Sequence, residues 1–255
     1  MKLDSSMSAL VTGGASGLGF ASAQQLAARG VRVVIADVNP ETGEKAAAAL
    51  GDGARFVRAD VCDPQQMAAA IESANAMAPL RALMHCAGIG GPLRLVEKSG
   101  EPGSLEKFEA IVRVNLVGTF NSLRLAAASM VRNESVDGER GACVLTASVA
   151  AFEGQIGQIP YASSKAGIVG MTIVAARDLA AKQVRVCTIA PGVFDTPILA
   201  KLPQTVLDSL AAGIPHPSRL GRPPEFAMTA LHILENPMLN GETIRLDGAI
   251  RMAPR

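Results

Sequence analysis

Short apolar runs rich in Val, Ile, Leu and Ala recur along the chain at 8–12, 32–37, 54–60, 82–86, 142–147, 184–190 and 242–246. Alanine-rich stretches with helical character separate them, among them 20–29 and 108–130. A strand followed each time by a helix predicts a parallel sheet of about seven strands with helices on both faces. Two segments interrupt the alternation, 90–104 and 132–141, both rich in Gly, Pro or charge and therefore read as loops. A third, 191–224, is dense in proline and predicts a flap that leaves the sheet. The whole chain, 1–255, reads as one α/β domain, since such sheets often run to about 250 residues as a unit.

Composition narrows the function classes. A formal net charge of +1 with acidic and basic residues interspersed marks no nucleic-acid surface and no anionic membrane patch. No apolar run is long enough to span a bilayer, and a first strand at Ser8 leaves no room for a signal peptide, so the expected setting is the cytoplasm. Cys62, Cys86, Cys143 and Cys187 are far apart, in or beside apolar runs, and read as reduced core residues. His85, His216 and His232 are isolated, so no metal site is expected.

The first strand runs directly into Thr12-Gly13-Gly14-Ala15-Ser16-Gly17-Leu18-Gly19 and then a helix. Glycines at such a turn let the backbone approach a pyrophosphate, whose charge the helix N-terminus stabilises. The spacing is one residue longer than the commonest dinucleotide fingerprint, and its weight comes from the strand–turn–helix context. Asp37 closes the second strand eighteen residues after Gly19. A carboxylate there accepts from adenosine ribose hydroxyls and repels a 2′-phosphate, which favours NAD over NADP. The alternative is that Asp37 caps the helix beginning after Pro40. Ligands of open α/β sheets bind beyond the carboxyl ends of the strands. That rule brings in Asp60 and Val61 as an adenine clamp, Cys86-Ala87-Gly88 as a close backbone passage, and Ser148 at the end of the fifth strand.

The chain has a single tyrosine, Tyr161, with Lys165 four residues later, on one face of a predicted helix. A neighbouring ammonium favours phenolate. Acid–base work near neutrality requires the phenol to ionise roughly two to three pH units below its ordinary ~10. Lys165 alone would struggle to supply that, and an oxidised nicotinamide would be the second cation.

With Thr12–Gly19, Asp60, Ala87-Gly88, Asn115, Ser148, Tyr161, Lys165 and Pro191-Gly192 together, the chain resembles the short-chain dehydrogenase/reductase family over nearly its whole length, which implies a doubly wound Rossmann-type fold. Within it, the stretches 147–155, 218–221 and 240–251 look like the type 2 3-hydroxyacyl-CoA dehydrogenases, also called 17β-hydroxysteroid dehydrogenase type 10. The resemblance implies an NAD-dependent homotetramer that oxidises 3-hydroxyacyl-CoA esters and accepts steroid alcohols. It assigns proton transfer to Tyr161, substrate oxygen binding to Ser148, phenol tuning and ribose binding to Lys165, and a water-holding relay position to Asn115. Val193 and Thr196 would contact the cofactor after Pro191, and Gln155 would reach a substrate carbonyl.

The apolar stripe Ile198, Leu199, Leu202, Val206, Leu207 and Leu210 reads equally as a core-packed helix or a substrate lid. Two departures from the family pattern stand out. His85 occupies the place of an asparagine that ties the central strands, and His216 replaces an aromatic in the flap. Two other functions compete: a 3-oxoacyl-carrier-protein reductase of the same family, and a non-catalytic NAD-sensing regulator. Asp37 argues against the first, and retention of Tyr161 and Lys165 argues against the second.

Overall fold

A computed structural model describes residues 1–197, 199 and 203–254. Among them, strands β1 (Ser8–Thr12), β2 (Arg32–Asp37), β3 (Ala54–Arg58), β4 (Leu80–His85), β5 (Gly141–Thr146), β6 (Val184–Pro191) and β7 (Thr243–Leu246) form one sheet. Every neighbouring pair is parallel, in the order β3-β2-β1-β4-β5-β6-β7. This is the doubly wound arrangement expected from the strand–helix alternation. β4 starts two residues earlier than its apolar run suggests, because the polar Arg81 is accommodated by donating to the carbonyls of Glu134, Glu139 and Arg140. β3 ends two residues early, at Arg58.

The helices are α1 (Gly17–Ala28), α2 (Pro40–Leu50), α3 (Pro64–Asn75), α4 (Leu105–Val112), α5 (Gly118–Met130), α6 (Ile159–Ala180), α7 (Gln204–Ala212) and α8 (Pro223–Glu235). α2 and α3 begin alike, with Pro in the first turn and a cap before it: Asn39 accepts from Thr42 N, and Asp63 from Gln65 N and Gln66 N. One core lies between the sheet and α1, α2 and α8, around Leu26, Val33, Ile35 and Phe226. The other lies against α3, α5 and α6, around Leu10, Met67, Leu83, Leu123, Met130 and Ile168. Each such buried side chain contributes about 1.5–3 kcal/mol.

Two features set up the site. The strand order reverses between β1 and β4, and this reversal opens the crevice in which open α/β sheets bind ligands. The predicted continuous helix 108–130 is instead two helices joined by a π-helical turn, Arg113–Val117, with Asn115 inside it. Wider π turns release main-chain groups from the regular ladder and occur often at functional sites.

Candidate active site

The glycine turn fits a phosphate. Gly13 and Gly17 both hold positive φ, +62° and +54°. A Cβ on Gly13 would come within 2.8 Å of the Ala87 backbone, and one on Gly19 within 2.3 Å of the Gly13 carbonyl. The turn is thus pressed against the end of β4, and no other residue allows that approach. Ser16 is the N-cap of α1 but makes no side-chain bond to its own helix, so its hydroxyl and the first N–H groups of α1, from Gly17 and Leu18 on, are available to an anion. Thr196 and Pro197 arrive beside Gly17, 3.5–3.6 Å from where its Cβ would stand. The segment that follows β6 therefore meets the glycine turn.

Asp37 is not the cap of α2; Asn39 is. The Asp37 carboxylate instead accepts from Ala15 N and Asn39 N, each at 3.3 Å, bridging the glycine turn to the start of α2. Both bonds are long, which leaves acceptor capacity for ribose hydroxyls. Asp60 is exposed just beyond β3 and accepts from Cys62 N at 2.8 Å. Val61 beside it is buried, and its carbonyl accepts from Asn121 Nδ2 at 2.8 Å.

Ser148, Tyr161, Lys165 and Asn115 converge on the carboxyl ends of β4 and β5. Ser148 is buried, and its Oγ accepts from Ala150 N to start a 3-10 turn, Val149–Ala151. Tyr161 and Lys165 lie one turn apart in α6, with Nζ 5.7 Å from the phenol ring centroid. Nζ donates to the Thr146 carbonyl at 2.8 Å, leaving two N–H groups for a ligand. Gly88 lets the chain pass: a Cβ there would lie 3.2 Å from Asn115 Oδ1 and 3.5 Å from Lys165 Nζ. Asn115 is fully buried and fully paired, with Oδ1 accepting from Ile89 N and Nδ2 donating to Ile89 O and Ser164 Oγ. Its buried amide fastens the π turn to the chain beyond β4 and to α6.

Charge in this cluster is governed by burial. Burial pushes the Tyr161 phenol above its ordinary value, and the Ser148 hydroxyl opposes that by favouring the phenolate. Burial pulls the Lys165 ammonium down to about 8, with Cys86 opposing. The expectation that Lys165 depresses the phenol is therefore not met by the chain alone; at 5.7 Å from the ring centre, its cation does not outweigh desolvation. A Tyr161 phenolate near neutral pH would require a further positive charge beside the ring.

His85, read from sequence as either replacing or loosening the asparagine tie, replaces it. Its Nδ1 meets Thr12 Oγ1 at 2.9 Å and joins β4 to β1 at the strand-order reversal. Nε2 is buried and meets no hydrogen-bonding partner among the described residues. Desolvation, then the Lys165 charge, hold the ring neutral down to about pH 3. Cys86 lies next to it, half-buried, in reach of Thr146 Oγ1 at 3.6 Å, while Cys143 and Cys187 are buried.

The segment after β6, expected from sequence as a flap, begins firmly. Phe194 is buried edge-on against Phe226, ring centroids 6.4 Å apart, and the half-buried Val193 accepts from Gly221 N through its carbonyl. In the apolar stripe, Ile198 and Leu202 lie outside the described residues, and α7, which carries Val206, Leu207 and Leu210, buries no side chain. It is not a core helix. His216 is exposed in the same region. The Gln155 amide already has partners, Ala253 O at 3.0 Å and Gln158. Sequence reading missed the bond of Thr12 with His85, and it missed Thr146 and Ser164, which hold Lys165 and Asn115. Only Ser164, one turn after Tyr161 on the helix face of Lys165, had a spacing that pointed to it.

Among the described residues no helix is long and apolar enough to cross a membrane, and no cluster of side chains could hold a metal ion. The family model for short chain dehydrogenases matches residues 7–207. A 3-hydroxyacyl-CoA dehydrogenase type-2 of Drosophila melanogaster is 48% identical over 248 residues, 96% of this chain and 97% of that protein. The crystal structure of a 3-hydroxyacyl-CoA dehydrogenase type-2 from Mycobacterium avium superposes with a TM-score of 0.96 at 46% identity, covering 100% of both chains. A 3-oxoacyl-[acyl-carrier-protein] reductase of Thermotoga maritima is more distant, at 31% over 247 residues, 94% of this chain and 96% of that protein. The glycine turn pressed on β4, the Ser148–Tyr161–Lys165 cluster and these likenesses agree: the chain belongs to the short-chain dehydrogenase family.

Proposed function

We propose that the protein is an NAD-dependent dehydrogenase that interconverts 3-hydroxyacyl-CoA and 3-oxoacyl-CoA, with hydroxysteroids as further substrates. The observation that carries the chemistry is the buried Lys165 ammonium one helical turn from the only tyrosine, with Ser148 delivered to the same strand edge beside the glycine turn. Bound NAD would supply the hydride acceptor and, through its charged ring, the second cation that the phenol requires. Tyr161 as phenolate accepts the alcohol proton in oxidation and returns it in reduction. Ser148 donates to the substrate oxygen and holds it at the phenol. Lys165, anchored on Thr146 O, turns its two remaining N–H groups to the nicotinamide ribose. Asn115 braces the π turn from which a relay water would be held next to Lys165.

Gly13, Ser16, Gly17, Leu18 and Gly19 bind the pyrophosphate, Asp37 the adenosine ribose, Asp60 and Val61 the adenine. Cys86, Ala87 and Gly88 line its path, Val193 meets the nicotinamide carboxamide through its main chain, and the Thr196 hydroxyl lies near the pyrophosphate, beside Gly17. The segment 191–224 acts as the flap over the substrate, with α7 as its exposed, lightly packed part. The acyl-CoA assignment rests on the 48% relative rather than on the 31% carrier-protein reductase, and Asp37 supports NAD. Four unpaired thiols suit a reducing cytoplasmic setting, and the family likeness supports a homotetramer. The test is a kcat/KM panel of short, branched and long 3-hydroxyacyl-CoAs, carrier-protein thioesters and hydroxysteroids, each with NAD and NADP. Highest turnover with NAD and an acyl-CoA is expected; a preference for NADP with carrier-protein thioesters would overturn the assignment.

A further inference from the structure

His85 ends β4 in register with Leu145 of β5, and the next residue of β5, Thr146, holds Lys165 Nζ on its carbonyl at 2.8 Å. Strand alternation puts the His85 ring on the same face as Leu83, which packs in one cluster with Ile168 of α6, the helix that carries Lys165. The ring is 1% exposed, and the Lys165 charge acts on it. Three residues after His85, a Cβ on Gly88 would stand 3.5 Å from the same Nζ. The imidazole and the ammonium are therefore buried neighbours at the ends of adjacent strands.

The bonds at Thr12 select the tautomer of that imidazole. Thr12 Oγ1 meets His85 Nδ1 at 2.9 Å and accepts from Ala87 N at 3.4 Å. If the hydroxyl donates to Nδ1, both its roles are used, and the proton of the neutral ring sits on Nε2. If Nδ1–H donates instead, the Thr12 hydrogen meets no acceptor among the described residues, and Nε2 keeps an unmet lone pair. The first arrangement leaves one buried group unmet and the second leaves two, so the first is favoured. Nε2 is then a buried N–H that meets no acceptor among the described residues.

Lys165 shares this shortage of acceptors. Among the described residues its ammonium donates only to Thr146 O, which leaves two N–H groups over. The titratable groups about it are Tyr161 on its own helix and His85 and Cys86 at the end of β4. None of these is an anion near neutral pH: burial raises the phenol and pushes the thiol up to about 11, and the imidazole is neutral. Two neighbouring donors need an acceptor between them, and a water oxygen has two lone pairs. Buried waters typically make about three bonds to polar groups that are otherwise unmet. We propose that His85 Nε2–H and Lys165 Nζ–H donate to one buried water, and that His85 is thereby a positioning residue that keeps the Lys165 ammonium charged during turnover. His85 exchanges no proton in this role. The function of Lys165 is that of the proposed dehydrogenase, and the part given to His85 in turnover rests on it.

The test uses the full chain, His85→Asn, which keeps a polar partner for Thr12, and His85→Phe, which keeps the ring volume. Neither variant carries an N–H where Nε2 stands. Nitrogen NMR of the labelled full chain, with the His85 signals identified by their loss in His85→Asn, should show the proton on Nε2 and magnetisation passing from it to a long-lived water. A proton on Nδ1, or an Nε2–H without water contact, overturns the proposal. Kinetics with NAD and a 3-hydroxyacyl-CoA across the pH range give the functional readout. Taking an acceptor away from the ammonium disfavours its charged form, so the basic limb of kcat/KM should move to lower pH by roughly half a unit or more in both variants. NADH affinity at neutral pH should stay within about two-fold. A merely structural role lowers kcat/KM at every pH and leaves the limb in place; a limb that stays, or that moves up, overturns the positioning role. If the unaltered enzyme oxidises no alcohol with NAD, the proposed function fails, and the NMR signals still decide whether His85 holds the water.

Discussion

Lys165 and Thr146 are joined by a 2.8 Å bond from ammonium to main-chain carbonyl, made where Lys165 is only 4% exposed. One bond does not replace full hydration, and burial holds the amine at about 8 in the folded chain against 10.5 outside it. Between those values the unfolded chain keeps a proton that the folded chain releases. Stability therefore rises with pH across that window, and below it the charged amine costs on the order of 3 kcal/mol. Lys165→Met removes the charge and leaves the Thr146 carbonyl short of a donor, a loss of about 1 kcal/mol. Turnover should vanish while the melting temperature at pH 7 rises by a few degrees, as read by calorimetry. A lower melting temperature would show that the bond to Thr146 outweighs the desolvation.

Tyr161 is the only tyrosine and there is no tryptophan, so its ionisation can be followed by absorbance without interference. In the free enzyme, burial places it above the ordinary phenol value, and Ser148 offsets that only in part. Saturating NAD should lower the midpoint by adding a positive charge beside the ring. Tyr161→Phe should lose turnover and keep NAD affinity. A midpoint that NAD leaves unmoved would remove the second cation from the mechanism.

His85 stays neutral in the fold down to about pH 3, while in the unfolded chain it takes a proton near 6.5. In that interval the unfolded state binds more protons, so acid destabilises the fold progressively as pH falls through 6.5. His85→Asn restores the residue of the family pattern, which can still bond Thr12 and cannot be protonated. Its acid unfolding midpoint should lie at least half a pH unit below that of the unaltered protein, by circular dichroism. Coincident acid transitions would mean that other groups govern acid unfolding.

The sheet and the chemistry were largely legible in the sequence, for local reasons. Continuous apolar runs mark strands buried on both faces, and Gly13, Gly17 and Gly19 mark a turn that only glycine fits. The π turn at Asn115 was not legible, because its sequence holds no proline or glycine to break the helix and the deviation is held by Ile89 and Ser164 from elsewhere in the fold. The ion pair of Glu153 with Arg245 spans 92 positions, and no periodicity links residues so far apart. For α7 the apolar spacing suggested burial as readily as exposure; only the three-dimensional packing leaves it uncovered.

Asp37 bridges two segments with bonds of 3.3 Å, to Ala15 N and Asn39 N, both too long to saturate a carboxylate. Its remaining lone pairs are what an adenosine ribose would meet, and its charge is what a 2′-phosphate would meet. Replacing it with alanine removes charged hydrogen bonds to the ribose, a loss of about 2–3 kcal/mol or roughly 30- to 150-fold in the Kd of NADH. The same change loosens the glycine turn, which weakens either cofactor, but it also removes repulsion toward the phosphate, which helps only the phosphorylated one. The ratio of the two affinities isolates the ribose contact from the loosening. Fluorescence titration of Asp37→Ala with NADH and NADPH should therefore show a large loss for the first and a small one for the second. Equal losses would leave Asp37 as a brace for the turn and nothing more.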